Sequence, residues 1–447
     1  MERLLHYVWN YRLFPSATMK TTTGIPVEII DTGLINRDAG PDFFNAKIKL
    51  GGTLWVGNVE IHRKASDWFR HGHDKDPAYD SVVLHIIEEE DALIARHDGE
   101  LIPQMLLSVP EHVAENYHSL AHPIDLSRPA CAGILPRIPA LKVHAWLSAL
   151  VCERLEQKVE AIRHRLDTVG QDWDRAFFIT LARNFGFGVN SDAFEQWAQS
   201  IPTSILNKHR DDVRQIEALF FGQAGLLSAS SGAMKAQDDY ARALLKEYEY
   251  LCFKYTLNGT EEKSEKTAGT CTIPCKMLRM RPGNFPHLRI AQLAALYCRK
   301  PFLFSELMEA ETIEQAIELL RTEADGYWRT HLHFGTATPE TDRKLSISSL
   351  RLLVINTVVP FLYGYGQYRG NAALIERATR FLEKLPPEEN RIIRSWRSVG
   401  LHCQHAADSQ AFIQLSKEYC DKRKCLFCSF GYQFMKRQVV SPEPASE

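Results

Sequence analysis

Two adjacent glycines, Gly51 and Gly52, fix the first piece of structure. Before them runs Asp42-Phe-Phe-Asn-Ala-Lys-Ile-Lys-Leu50, introduced by Gly40-Pro41; after them runs Thr53-Leu-Trp-Val-Gly-Asn-Val-Glu-Ile-His62. Glycine reaches the positive φ that a tight hairpin turn needs, so 42–62 reads as two antiparallel strands. Side chains two apart on a strand share a face. Glu60 and His62 therefore project together, and Lys64 joins them if the strand continues. The face of Asp42 depends on register. A strict two-residue turn pairs Asp42 with Ile61 and aims it away from Glu60. A three-residue loop that takes in Thr53, or one bulge, pairs Asp42 with His62 and Phe44 with Glu60. In that second register two carboxylates and an imidazole meet. Such a group can hold a divalent cation beside a proton-handling side chain.

The flanking pattern builds a small α/β unit with a mixed sheet over residues 1–120. Leu4, Leu5, Val8 and Trp9 mark one side of a helix over 2–14. A strand follows over Pro26–Asp31. Ser66–Asp80 is polar and rich in histidine, and Ser81–Ile87 is a near-continuous apolar run that reads as a buried strand. His85, inside that run, reads as a satisfied core histidine. Further strands are expected over Leu93–Arg96 and Ile102–Ser108, around an Asp98-Gly99 turn. A linker bearing Pro129, Pro136 and Pro139 is expected over 121–140. From 141 to 400 the 3.6-residue period takes over, beginning with a long helix over Leu141–Leu166, and predicts a larger, mainly α-helical domain. Residues 401–438 form a cysteine-rich segment and 439–447 a disordered tail. Gly259–Thr270, polar and poor in apolar residues, reads as a mobile surface loop.

Composition narrows the function classes. The net charge of −2 gives no bulk argument for nucleic acid. The balance is uneven: residues 1–120 carry 11 Lys and Arg against 18 Asp and Glu, and the remainder 42 against 37. An acidic first domain tolerates a metal site, and the more basic second domain is suited to phosphate contacts. No apolar run of about 18 residues is present, so no membrane span is expected. The N-terminus lacks the apolar core and cleavage site of a signal peptide. Ten cysteines without a secretion signal point to a reducing, cytoplasmic setting, where thiols act as core residues or metal ligands.

Three constellations carry chemistry. The first is Asp42, Glu60 and His62, a hard oxygen site for Mg²⁺ or Mn²⁺ with an imidazole to orient water. The second is His71-Gly72-His73-Asp74, which can complete a metal site, bind phosphate or supply an acid or base; its blander reading is a polar loop with local hydrogen bonds. The third is Cys420-x4-Cys425-x2-Cys428, with Cys403 upstream as a fourth ligand. That spacing suits tetrahedral Zn²⁺ ahead of an iron–sulfur cluster.

Gly40-Pro41-Asp42 followed by Glu60-Ile61-His62, within helix–strands–crossover–strand, resembles the PD-(D/E)XK phosphodiesterase superfamily of restriction-enzyme-like nucleases. The resemblance covers about residues 1–110. It implies that Asp42 and Glu60 bind the metal and that the residue at position 62 assists the attacking water. His62 stands where that superfamily has lysine, and Lys64 is a candidate stand-in. Some nucleases of this superfamily carry a cysteine-bound iron–sulfur cluster near the C-terminus. The whole chain also resembles an uncharacterised bacterial protein family, in Gly57–His62, in Asp67-Trp…His71-Gly-His73, in Ile216–Gly225 and in Arg281–Pro286.

The sequence thus predicts a Mg²⁺- or Mn²⁺-dependent nuclease-like domain fused to a helical domain that positions nucleic acid. Its rival is a catalytically inactive scaffold of the same fold that binds nucleic acid or protein.

Overall fold

The hairpin is present in the computed structural model, which describes residues 2–14, 19–36, 38–123, 125, 128–227, 238–257, 275, 282–324 and 326–437. Strands are numbered β1 (Val27–Asp31), β2 (Leu34–Ile35), β3 (Phe43–Leu50), β4 (Thr53–Lys64), β5 (Val82–Glu89) and β6 (Gln104–Leu106). The turn is the strict two-residue kind: Leu50 pairs with Thr53, and Gly51 and Gly52 take φ of +56° and +94°. The register then slips. Ala46 lies opposite Gly57 but Phe43 lies opposite Val59. The extra residue falls on β3 near Asn45, whose φ is +55°, a conformation asparagine tolerates better than most side chains. The Asn45 amide donates to Asn58 Oδ1 at 3.2 Å. The expected pairing of Asp42 with His62 is therefore corrected. The bulge adds its residue to β3 rather than β4, and continuing the register sets Asp42 opposite Glu60. The shared face survives, because either one-residue slip restores the same parity.

β1 and β2 pair antiparallel with β3, whereas β5 runs parallel to β4 and β6 parallel to β5. The sheet order is β1-β3-β4-β5-β6, with β2 also on β3. The chain reaches β5 through a crossover holding the short helix α2 (Asp67–Arg70) and two 3₁₀ turns. Val82, Leu84, Ile86 and Ile87 of β5 are all buried, which accounts for its near-continuous apolar sequence. Helix α1 (Glu2–Asn10) buries Leu4, Leu5, Val8 and Trp9, and the Trp9 indole donates to the Thr32 carbonyl at 3.0 Å. The two strands expected after β5 shrink to an Ala95–Leu101 bridge and the three-residue β6.

The chain divides into two compact units. The first takes the residues up to Trp146, Arg394–His402 and those from Leu415 onward; the second takes Leu147–Ile393 and Cys403–Gln414. The stretch 121–140, expected as a linker, contains a 3₁₀ helix, Ala132–Arg137, that buries Ile134 and Leu135. Just before it lies helix α3 (Glu111–Ala121). The cysteine-rich segment 401–438 is shared between the units.

The second unit is largely helical around one aromatic-rich core. Within it, the Trp197 indole donates to the Phe220 carbonyl at 3.0 Å. Its helix Ile347–Arg369 is long and apolar enough to cross a bilayer by length and composition, with 61% of its apolar window buried inside the structure. A π-helical turn, Val354–Val358, interrupts it. The loop Gly259–Thr270 and the tail 439–447 lie outside the described residues.

Candidate metal centre

Asp42 and Glu60 are locked to each other's strands. The Asp42 amide donates to Glu60 Oε2 at 3.0 Å, and the Ile61 amide donates to Asp42 Oδ2 at 3.0 Å. Each carboxylate thereby takes a backbone donor at the end of the β3–β4 ladder. His6, from α1, forms an ion pair with Asp42 at 3.2 Å. Glu60 Oε1 faces the other way. It lies 3.3 Å from His73 Nε2 and 3.5 Å from His62 Nε2.

The crossover brings in the remaining nitrogens. His71 follows α2, and His73 opens a 3₁₀ turn. His71 Nδ1 comes within 3.1 Å of His62 Nε2. One ligand atom from each of His62, His71 and His73 lies within 4.8 Å of the others. Behind them, His62 Nδ1 is 2.9 Å from His85 Nε2, and His85 Nδ1 is 3.5 Å from the Gln104 amide. If the shared proton sits on His62 Nδ1, the His62 Nε2 lone pair points into the site. Backing a metal-ligating histidine through its other nitrogen is how such tautomers are fixed. Tyr79 stacks on His73 at 3.8 Å, and the Trp68 ring packs edge-on to His73 and His85. These aromatics belong to a small core with Val82, Ile94 and Ile102.

Burial sets the charge states of the group. Burial, reinforced by the neighbouring histidines, pushes His62 down to about 2. Burial likewise pushes His85 down to about 3. Both rings are therefore neutral and offer lone pairs. Burial pushes the Glu60 carboxyl up, and the charge of Asp42 adds to this against the His73 hydrogen bond. His6 is raised although burial opposes it, because the Asp42 carboxylate outweighs the burial. Glu60 and three imidazoles meet here, a donor set that could hold a divalent ion.

Of the sequence-derived site residues, Asp42, Glu60, His62, His71 and His73 are brought together. Lys64 is not: its ammonium pairs with Glu89 at 2.9 Å on the exposed end of the strand. His6 was missed, since a histidine on an amphipathic helix carries no local signal of its partner. His85 is the buried core histidine expected, and it also backs His62. Cys420, Cys425 and Cys428 lie in the first unit. Cys403 belongs to the second, with its thiol 3.8 Å from the His405 carbonyl.

Neither a curated protein nor a solved structure matches the chain. A family model does match, over residues 2–391, nearly the whole of it. The chain belongs to the family described as "Protein of unknown function (DUF2851)".

Proposed function

We propose that the first unit is a metal-dependent phosphodiesterase acting on nucleic acid. The observation that carries this reading is the meeting of three imidazole nitrogens within 4.8 Å beside Glu60 Oε1 and the strand-opening Asp42. Asp42 at the start of β3 and Glu60 near the end of β4 in a mixed sheet are also what the PD-(D/E)XK resemblance leads one to expect. The nitrogens alter the choice of ion. Mg²⁺ prefers oxygen donors, whereas imidazole suits Mn²⁺ and its transition-metal neighbours, so Mn²⁺ stands ahead of Mg²⁺.

A bound divalent ion would polarise the scissile phosphate and lower the pKa of a water. The chain's own residues divide the remaining work. Glu60, His62 and His73, largely buried, hold the centre and exclude solvent. His71, on the exposed rim, is the imidazole placed to exchange a proton with the reacting water. Arg70 Nη2, 3.4 Å from His71 Nε2 and exposed, is placed to meet a phosphate oxygen.

One observation favours the rival scaffold. His62 is held neutral, and Lys64 is drawn away to Glu89, so neither puts a cation where the superfamily has its lysine. The test is cleavage of single- and double-stranded DNA and RNA by the full chain with Mn²⁺ and with Mg²⁺, beside Asp42→Ala and Glu60→Ala. Metal-dependent cleavage lost in both variants is expected. No cleavage by folded wild-type protein with any substrate and either metal overturns the enzyme reading.

A further inference from the structure

The sequence offers three closely spaced cysteines and leaves the fourth ligand to be found. Cys420 ends a π-helical turn, Leu415–Cys420. The chain then folds back, the Lys424 amide donating to the Tyr419 carbonyl at 2.8 Å while Arg423 takes φ of +51°. Cys425 opens a 3₁₀ turn, and Cys428 is the N-cap of the helix Ser429–Met435. The Cys428 amide donates to the Cys425 carbonyl at 3.2 Å. That helix packs against the 3₁₀ helix Ala132–Arg137, whose N-cap is Cys131. Two capping cysteines far apart in sequence are thus delivered to one place. Each is 8% exposed. The titratable groups close enough to act on the Cys131 thiol are those of Cys428, Cys420 and Cys425.

We propose that Cys131, Cys420, Cys425 and Cys428 together hold a thiolate-bound metal centre, with Cys131 rather than Cys403 as the fourth ligand. All four lie in the first unit. The inference is independent of the phosphodiesterase reading.

The backbone amides of Phe430 and Gly431 and the Trp146 indole are directed at the Cys428 sulfur, although burial outweighs them and pushes that thiol up to about 11. That indole nitrogen is buried and has no conventional hydrogen-bond partner, and its ring packs edge-on against Tyr419. Such N–H groups stabilise metal-bound thiolates and tune the metal. Four neutral thiols would leave those donors poorly used, and four ionised ones would repel each other without a cation.

Four thiolates suit either a tetrahedral zinc ion or an iron–sulfur cluster.

The experiment is anaerobic purification of the full chain, reconstitution with iron and sulfide or with zinc, and measurement of bound iron, acid-labile sulfide and zinc beside the visible spectrum. Wild type, Cys131→Ser, Cys425→Ser and Cys403→Ser are compared. Iron with labile sulfide and visible charge-transfer absorption, or one equivalent of zinc without them, retained in Cys403→Ser and lost in the other two, supports the site and names its metal. Metal binding that survives in Cys131→Ser, that is lost in Cys403→Ser, or that is absent from the wild type overturns it. Since Cys131 is buried and its variant can fail to fold, alkylation of the wild-type protein is followed as well. The four cysteines are expected to be protected together in the loaded protein and to react together after chelation, with Cys403 indifferent. Cys131 reacting independently of Cys420, Cys425 and Cys428 overturns the proposal.

Discussion

Asp42 and Glu60 face each other across the β3–β4 ladder, and Glu60 accepts the Asp42 amide at 3.0 Å. One side chain thus serves both the sheet and the candidate centre. Glu60→Gln keeps an acceptor for that amide and removes a buried charge that Asp42 already disfavours. In the presence of a chelator this variant is expected to be at least as stable as the wild type. Glu60→Ala leaves the amide without its partner and is expected to cost about 1–3 kcal/mol. Denaturation in EDTA separates the two, and equal losses would contradict this assignment of roles.

His85 tests the layer behind the proposed metal ligands. Its Nε2 lies 2.9 Å from His62 Nδ1, and it has no direct place among the converging nitrogens. His85→Leu fills a similar apolar volume but leaves His62 free to adopt either tautomer. Mn²⁺ affinity is expected to fall by about 10–100-fold. Titration calorimetry on folded variant protein measures it, and an unchanged affinity would show that the His62–His85 contact only packs the core.

In the helical unit, Glu217 gives a pH prediction. The Trp328 indole donates to it at 2.9 Å, and the Tyr240 hydroxyl donates to its other oxygen. Burial pushes the carboxyl up to about 7, against those two donors, from an ordinary 4.5. The folded state therefore holds the proton more tightly than the unfolded state does. Its contribution is complete below the unfolded value and is lost as pH rises through the folded one, a loss on the order of 3 kcal/mol. Glu217→Gln does not titrate and is expected to lack this decline. Urea denaturation between about pH 5 and about pH 8 reads the difference. Parallel curves for variant and wild type would refute it.

Gly431 has no room for a side chain: an added Cβ would lie 2.0 Å from the Cys425 carbonyl oxygen. Gly431→Ala must move the backbone that presents Cys425. It is expected to abolish metal retention by the cysteine group while leaving Mn²⁺ binding at the histidines unchanged. Metal analysis after reconstitution checks the first effect and calorimetry the second.

The sheet was legible where local rules decide it. Gly51-Gly52 set the turn, the period of two put Glu60 and His62 on one face, and β5 announced itself by its apolar run. The direction of the β3 slip was not legible, because it depends on one asparagine taking positive φ. The helices of the second unit follow the 3.6-residue period closely: Asp172–Asn184 was read and Trp173–Phe185 is observed. What the sequence did not show depends on partners that come from afar: His6 meets Asp42 only once α1 lies beside β4. Lys64 takes its partner locally: β5 places Glu89 directly opposite it.

The first unit's discontinuity has a consequence for biosynthesis. A ribosome releasing this chain would deliver the β-sheet early, but the residues from Leu415 onward emerge only after the whole of 147–393. The helical unit can therefore gain structure while its neighbour still waits for its final segment. Bringing Met435 and Arg437 back to Asn116, whose side-chain amide donates to both carbonyls, closes a very long loop. Loop closure of that kind is entropically costly, and a metal clip offsets it best when the loop is long. A four-cysteine centre would act as a late fastener, set only after the helical unit has been made, and would keep the separated parts of that unit joined even if a protease nicked the chain between them.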